Sequence, residues 1–480
     1  MLTKNTQSRL SGLTKGNALL LITILGFGGS FQAGYHITGL SSPSPCFINS
    51  SWNDRYNEPP APQKVTMIWS LIVSMYAIGG LFGAVSVNNM CPFSRKRAII
   101  CNSMISVTGA VMMLTSKEVK SFEMIIVARM LYGYSSGMSL HLMYLGEISP
   151  REIRGRLTLT SATFTSLGKL CGQFFGLSEI LGRRDLWHVL LCVPVCFSVA
   201  QVLVLPFLPE APRYLFLEKG DDKACKRALQ RLWGKGDYKQ EVEEMVIEQT
   251  ALEASPPKSP LQLLKDQTVR WQLITIFIIY FCNQMSGMSA ISTFSFDIFL
   301  KAGVPKDKIR YVTLGLGISE ILTSISCSLL IEQTGRRPLF WGGYAVMSAI
   351  WIVVTIMLNL KVNMCKLSEF TNCDSSPLPG AATATLSSEL FIQSDRLAAF
   401  VLMGLHRWFI FAVLGLLFPF IIVSYCFMLF AGVCLLGSLY TFLLLPETNG
   451  KTFMDISKEF KAITVCGKSF LEEDKVETKL

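Results

Sequence analysis

Ser94-Arg95-Lys96-Arg97 and Thr334-Gly335-Arg336-Arg337 lie 241 residues apart, counted from Arg95 to Arg336. Gly146-Glu147-Ile148-Ser149-Pro150-Arg151-Glu152-Ile153-Arg154-Gly155 has a looser echo in Ser388-Glu389-Leu390-Phe391-Ile392-Gln393-Ser394-Asp395-Arg396, with 242 residues from Glu147 to Glu389. Pro209-Glu210-Ala211-Pro212-Arg213 returns 237 residues on as Pro446-Glu447-Thr448-Asn449-Gly450-Lys451. Each copy sits at the end of a long apolar run. Three offsets that agree within a few residues imply a duplicated unit, and that placement implies two similar membrane halves.

Half of the residues are hydrophobic and only 16% are charged, against about a quarter in a soluble chain of this length. Stretches able to cross about 30 Å of hydrocarbon run near 17–38, 66–88, 98–116, 122–145, 157–180, 187–208, 271–295, 311–331, 338–359, 398–421 and 423–445. A twelfth is needed at 361–388, but that segment has no long apolar stretch and carries Lys361, Lys366, Glu369 and Asp374 around Ser376-Pro377-Leu378-Pro379. The expected fold is therefore an all-α polytopic membrane protein of two six-helix halves, with eleven clear spans and a degenerate tenth. The domains follow as an N-terminus at 1–16, a six-helix bundle at 17–208, a helical linker at 209–270, a second bundle at 271–445 and a tail at 446–480.

Lys4, Arg9 and Lys15 precede the first span, and basic residues crowd the loops after spans two, four and eight, which places those faces, the linker and both termini in the cytoplasm. The loop at 39–65 then lies outside, and it holds the single N-x-S/T sequon, Asn49-Ser50-Ser51, a predicted glycosylation site. The first apolar run is too long for a cleavable signal. In the linker, Ala224, Leu229 and Leu232, then Val242, Met245 and Val246, recur at helical spacing and predict amphipathic surface helices. The net charge of +10 is concentrated beside the membrane, where it meets anionic lipid and needs no nucleic acid. The 14 cysteines form no C-x-x-C pair and do not cluster with the four histidines, so neither a metal nor a cofactor is expected. Cys365 and Cys373 can be read as a bridge or as two free thiols. The sequence has no phosphate-binding lysine loop, no dinucleotide fingerprint and no nucleophile–base constellation, which argues against an enzyme or an ATP-driven pump.

Phe31-Gln32-Ala33-Gly34-Tyr35, Met143-Tyr144-Leu145-Gly146-Glu147 with Arg154-Gly155, Pro209-Glu210-Ala211-Pro212-Arg213-Tyr214, Gln284-Met285-Ser286-Gly287, Glu332-Gln333-Thr334-Gly335-Arg336-Arg337 and Pro446-Glu447-Thr448 together resemble the sugar porters of the major facilitator superfamily. The likeness is to the facilitative hexose transporters, solute carrier family 2, and within them to the class II group of fructose- and urate-type members. It extends over about residues 17–460 and implies facilitated diffusion of fructose or glucose through a multi-pass plasma-membrane protein, expected to act as a monomer. A hexose has many hydroxyls and no charge, so its site calls for amides and aromatics in an apolar cavity. Gln32, Gln173, Asn283, Gln284 and Trp408 have that character, and the resemblance places Gln32, Gln173, Gln284 and Trp408 at the central sugar site. It also implicates Ser289-Ala290-Ile291 in substrate choice, where class II members resemble Asn-Ala-Ile. An embedded amide can equally serve as a helix-to-helix hydrogen bond.

Arg95, Arg97, Glu147, Arg154, Glu210, Arg213, Glu332, Arg336, Arg337, Glu389, Arg396 and Glu447 gather at the cytoplasmic helix ends. There they are expected to form ion pairs that latch one transport state; the alternative is anchoring at lipid head groups. Residues 17–38 hold no acid, which favours uniport over the proton coupling of related porters. Beside Ser289, two further features depart from the family. Arg407 interrupts span eleven and is expected to face the cavity or an acidic partner, with Glu320 of span eight as the candidate. The polar tenth span leaves a transport-inactive variant or a sugar sensor as the alternative function, with urate or proton-coupled sugar transport as a second.

Overall fold

The computed structural model describes residues 16–40, 48, 52–53, 55–90, 94–149, 151–183, 186–234, 236, 238–254, 258–301, 304–359, 386, 390–391, 393–421, 425–448 and 459–460. Among these, all regular secondary structure is helical. Span one is α1 (Ala18–Thr38), and span two is α2 (Pro62–Met90). Span three is α3 (Arg95–Val119); span four is split into α4 (Phe122–Met138) and α5 (Leu140–Ile148). Span five is α6 (Arg151–Phe175). Span six comprises α7 (Trp187–Cys192) and α8 (Val195–Val204), separated at Pro194, which has no N–H to continue the ladder. After the linker, span seven is split into α13 (Arg270–Gln284) and α14 (Met288–Lys301). Spans eight and nine are α15 (Lys306–Thr334) and α16 (Arg336–Asn359), and spans eleven and twelve are α17 (Gln393–Ile421) and α18 (Tyr425–Leu444).

Every apolar run read from the sequence is thus helical, and eight of these helices meet the length and hydropathy needed to cross a bilayer. The runs at 122–145, 157–180 and 311–331 are not among the eight. They carry the most polar positions, including Lys169, Gln173 and Glu320, which face other helices rather than an apolar surround. Of the tenth span at 361–388 only Leu386 is described, so the expected broken crossing, with Cys365 and Cys373, lies outside the described residues, as does Asn49.

Helices cross where glycine removes the side chain. A Cβ on Gly34 of α1 would lie 2.0 Å from the Thr165 carbonyl of α6, and one on Gly133 of α4 would lie 1.8 Å from the Tyr76 carbonyl of α2. The halves meet where α6 packs along α15 and α2 along α17. At the second contact the Trp408 indole fills the space beside Gly80.

The linker forms α9 (Pro212–Leu217), α10 (Asp222–Trp233), α11 (Lys239–Ala254) and α12 (Pro260–Lys265). Leu229, Leu232 and Met245 are buried as the helical spacing predicts, but Val246 is 47% exposed. Its neighbour Met245 takes the inward position, against Cys225 of α10.

Gly133→Leu should prevent folding, because the new side chain meets backbone rather than a movable neighbour. Gly342→Ala, with no atom within 4 Å of its new Cβ, should be neutral. Size-exclusion profiles in detergent would separate them: an aggregated or absent peak for the first and a wild-type peak for the second.

Candidate functional site

Span seven is broken just past Gln284. Gly287 takes φ +89°, a conformation open to glycine at little cost, and the indole of Trp351 donates to the freed Ser286 carbonyl at 2.8 Å. The break fixes the end of α13, so Gln284 sits buried against α17, with its Nε2 at a long 3.5 Å from the Arg407 carbonyl. Asn283 beside it is half-buried, and its carbonyl accepts from the Ser286 hydroxyl at 2.6 Å. On the other half, Gln173 of α6 is buried against α15, and its Oε1 has no hydrogen-bond partner. That oxygen occupies the space a side chain on Gly317 would take, 2.0 Å from an added Cβ. Gln173 therefore lies at the boundary between the halves, Gln284 lies against the turn of α17 that carries Trp408 to that boundary, and both amides keep hydrogen-bonding capacity.

Trp408 is buried at the same boundary, edge-on to Tyr76 of α2 with ring centroids 5.6 Å apart. Ile291 is buried in α14 and Ser289 half-buried, its carbonyl taking the Thr293 hydroxyl at 2.8 Å. Gln32 is differently placed. Its Nε2 donates to the Ser198 hydroxyl at 2.8 Å while Ser198 donates back to Oε1 at 3.1 Å, so both ends of this amide are occupied by α8. A π-helical turn at Gly26–Phe31 precedes Gln32 and shifts the register of α1 at that point.

The expected Arg407–Glu320 pair does not form. Glu320 is held instead by Lys169 of α6, with Nζ to Oε1 at 2.6 Å. Arg407 is exposed, yet on a 3.6-residue wheel it lies roughly opposite the exposed apolar Phe409, Val413 and Leu416 and within about 40° of buried Met403, Phe411 and Phe418. It therefore opens onto internal space, as a charge in hydrocarbon requires, with its guanidinium 5.9 Å from the Trp408 ring centroid. Lys169 and Arg129 were not singled out in the sequence, although a lone cation inside an apolar run was the available signal. Arg129, 2% exposed, donates to the His36 carbonyl at 2.9 Å and stacks on Tyr76 at 4.6 Å.

At the basic ends of the helices the repeated motifs do the same thing twice. Glu210 accepts from the Ser94 hydroxyl and from Lys96 N at 3.3 Å, at the start of α3. Glu447 accepts from Arg336 N at 2.9 Å and Arg337 N at 3.1 Å, at the start of α16. Each carboxylate caps the third helix of its own half, where the helix dipole favours negative charge. Arg95 bridges Glu147 at 2.9 Å and Glu218 at 2.8 Å, while Arg97 gives its backbone N–H to Ser94 Oγ at 3.5 Å. Arg213 pairs with Glu248 of α11, and Arg396 at the start of α17 lies within electrostatic reach of both. Lys258 joins Asp266 at 2.5 Å to buried Asp395 at 3.4 Å. Glu389 and the side chains of Arg154 and Glu332 lie outside the described residues.

A two-part helical bundle with polar amides facing its internal boundary has the architecture of a membrane carrier rather than an enzyme. Residues 21–460 match the family model described as "Sugar (and other) transporter", and the chain belongs to that family. It is 38% identical over 483 residues to solute carrier family 2, facilitated glucose transporter member 9, of Homo sapiens, covering 96% of this chain and 88% of that one. It is 37% identical over 467 residues to member 11 of Homo sapiens, covering 94% of each. Against member 5 of Equus caballus it is 37% identical over 459 residues, covering 92% of this chain and 91% of that one. Among solved structures, its fold is similar to that of the proton:xylose symporter XylE bound to 6-bromo-6-deoxy-D-glucose (TM-score 0.77, 17% identity, 92% of this chain and 99% of that one). It is also similar to the inward open conformation of the xylose transporter XylE from E. coli (TM-score 0.72, 16% identity, 92% and 99%).

Glu447→Ala removes two backbone caps and should cost about 1 kcal/mol of stability. Glu447→Gln, which keeps an acceptor, should cost less. Thermal midpoints in detergent that do not separate the two would refute the capping role.

Proposed function

We propose that the protein is a uniporter for a hexose, fructose or glucose, moving it by alternating access between halves that rock about a central site. The observation that carries this is the pair of buried amides, Gln173 from the first half with an unpartnered Oε1 and Gln284 from the second with one long hydrogen bond beside Trp408. A sugar hydroxyl can donate to Gln173 Oε1 and accept from Gln284 Nε2. Trp408 offers an apolar ring face, and Asn283, Ser289 and Ile291 stand nearby in sequence on the broken seventh span. In this scheme the basic ends are cytoplasmic, Asn49 is glycosylated on the outer face, and the protein works as a monomer in the plasma membrane.

The linker supplies the inner latch. Glu248 stands between Arg213 of α9, which packs on α5 of the first half, and Arg396 of the second half, and Lys258 reaches Asp395, so inward opening must stretch contacts that run through α11 and the 258–266 segment. Span one holds no carboxylate, so proton coupling has no acidic group on that helix to carry it.

Gln173→Ala and Gln284→Ala should each weaken hexose affinity by about 1–3 kcal/mol, roughly five- to hundred-fold, at matched expression. Gln32→Ala should leave affinity unchanged. Equal uptake kinetics for wild type and both site variants would make these amides packing residues.

In proteoliposomes, labelled hexose should equilibrate down its gradient, and an imposed pH gradient should drive no accumulation above the external level. Uphill accumulation would exclude uniport.

A further inference from the structure

We propose that the Lys169–Glu320 ion pair is the inner floor of the substrate site, a contact between the halves that breaks each time the cytoplasmic side opens. This role rests on the transport function proposed above. Lys169 belongs to α6 of the first half and Glu320 to α15 of the second, and their charged groups meet at 2.6 Å with side-chain exposures of 14% and 11%.

Register places the pair. On α6, Lys169 lies one turn from Gln173 toward Arg151; on α15, Glu320 lies one turn from Gly317 toward Thr334. Gly317 is the residue whose missing side chain makes room for the Gln173 amide. The ion pair therefore sits about 5 Å from that amide, on the side of the basic helix ends, where a sugar bound at Gln173 must pass to leave inward. The Lys169 backbone is fixed as well, since the Thr38 hydroxyl donates to its carbonyl at 2.8 Å. Gly168 meets the Phe31 carbonyl and Gly172 meets Thr38, so α1 and α6 move as one body with the lysine.

Two opposite charges cancel in the closed state, which lets a neutral polyol approach without a net field. On opening, both ions are rehydrated together, so the pair separates into water rather than into hydrocarbon. If Lys169 is removed, Glu320 is left buried and alone, and it must take a proton from solvent before the floor can close. Within about two turns of the pair, the other titratable groups on α6 and α15 are Cys171 and Cys327, and α1 brings Tyr35 and His36. None of these is a lysine or arginine that could replace Lys169.

The test uses the full-length protein in proteoliposomes with labelled fructose and glucose. Lys169→Met should lower exchange by about tenfold or more at about pH 8 and recover on acidification to about pH 5.5, a recovery that the wild type should not show. Lys169→Met/Glu320→Gln should lose that recovery. The swapped Lys169→Glu/Glu320→Lys variant should regain most of the wild-type rate. Hydrogen–deuterium exchange over 157–169 and 320–327 without sugar should rise in Lys169→Met and return toward wild type in the swap. A swap as impaired as the single variants, or a Lys169→Met profile parallel to wild type, would overturn the floor and leave a packing contact. Absence of hexose flux in wild type, with the exchange pattern intact, would sink the transport function while the floor stood.

Discussion

Inside hydrocarbon a backbone carbonyl or a charged side chain has no water to turn to, so each must be satisfied by the protein itself. The irregular parts of this bundle obey that constraint. Span seven can break at Gly287 because Trp351 reaches across from α16 to the Ser286 carbonyl that the break frees. Arg129 is tolerated deep in span four because a carbonyl of α1 and the face of Tyr76 receive its charge. Glu320 is tolerated because Lys169 meets it from the other half. Against that background the incompletely satisfied amides stand out: Gln173 where α6 meets α15, and Gln284 beside the α17 turn that carries Trp408 to the other half.

The repeat in the sequence has a local physical cause. Each half ends its sixth helix in a Pro-Glu turn whose carboxylate caps its third helix, binding the two ends of the half together with charge-assisted hydrogen bonds. Those caps make each half a unit that can move whole. Contacts between the halves include the packing of α6 on α15 and of α2 on α17, with the indole of Trp408 beside Gly80, the Lys169–Glu320 pair, and the links from the linker helices to Asp395 and Arg396. Rigid units whose mutual contacts can separate are what rocking motion requires.

Hydrophobic length and charge placement made the helices, their order and the capping motifs legible in the sequence, because those depend on local composition. Partner choice was less legible. Glu320 was matched to the only other charge noticed in an apolar run, whereas its partner is set by which helix lies beside α15, and that is a matter of packing between halves. Gln32 and Gln173 look alike as single amides in apolar helices, yet Ser198 happens to face one and Gly317 the other. The exposed Val246 shows the same limit on a surface helix, where a shift of one residue decides which side chain turns inward.

The central claim, that Gln173 and Gln284 take hold of a sugar from opposite halves, is tested most directly by a cryo-electron microscopy structure of the protein with fructose or glucose bound. Ring density within about 3 Å of Gln173 Oε1 and Gln284 Nε2, beside the Trp408 indole, is the predicted result. Sugar bound elsewhere, or both amides closed onto protein partners with the sugar present, would contradict it.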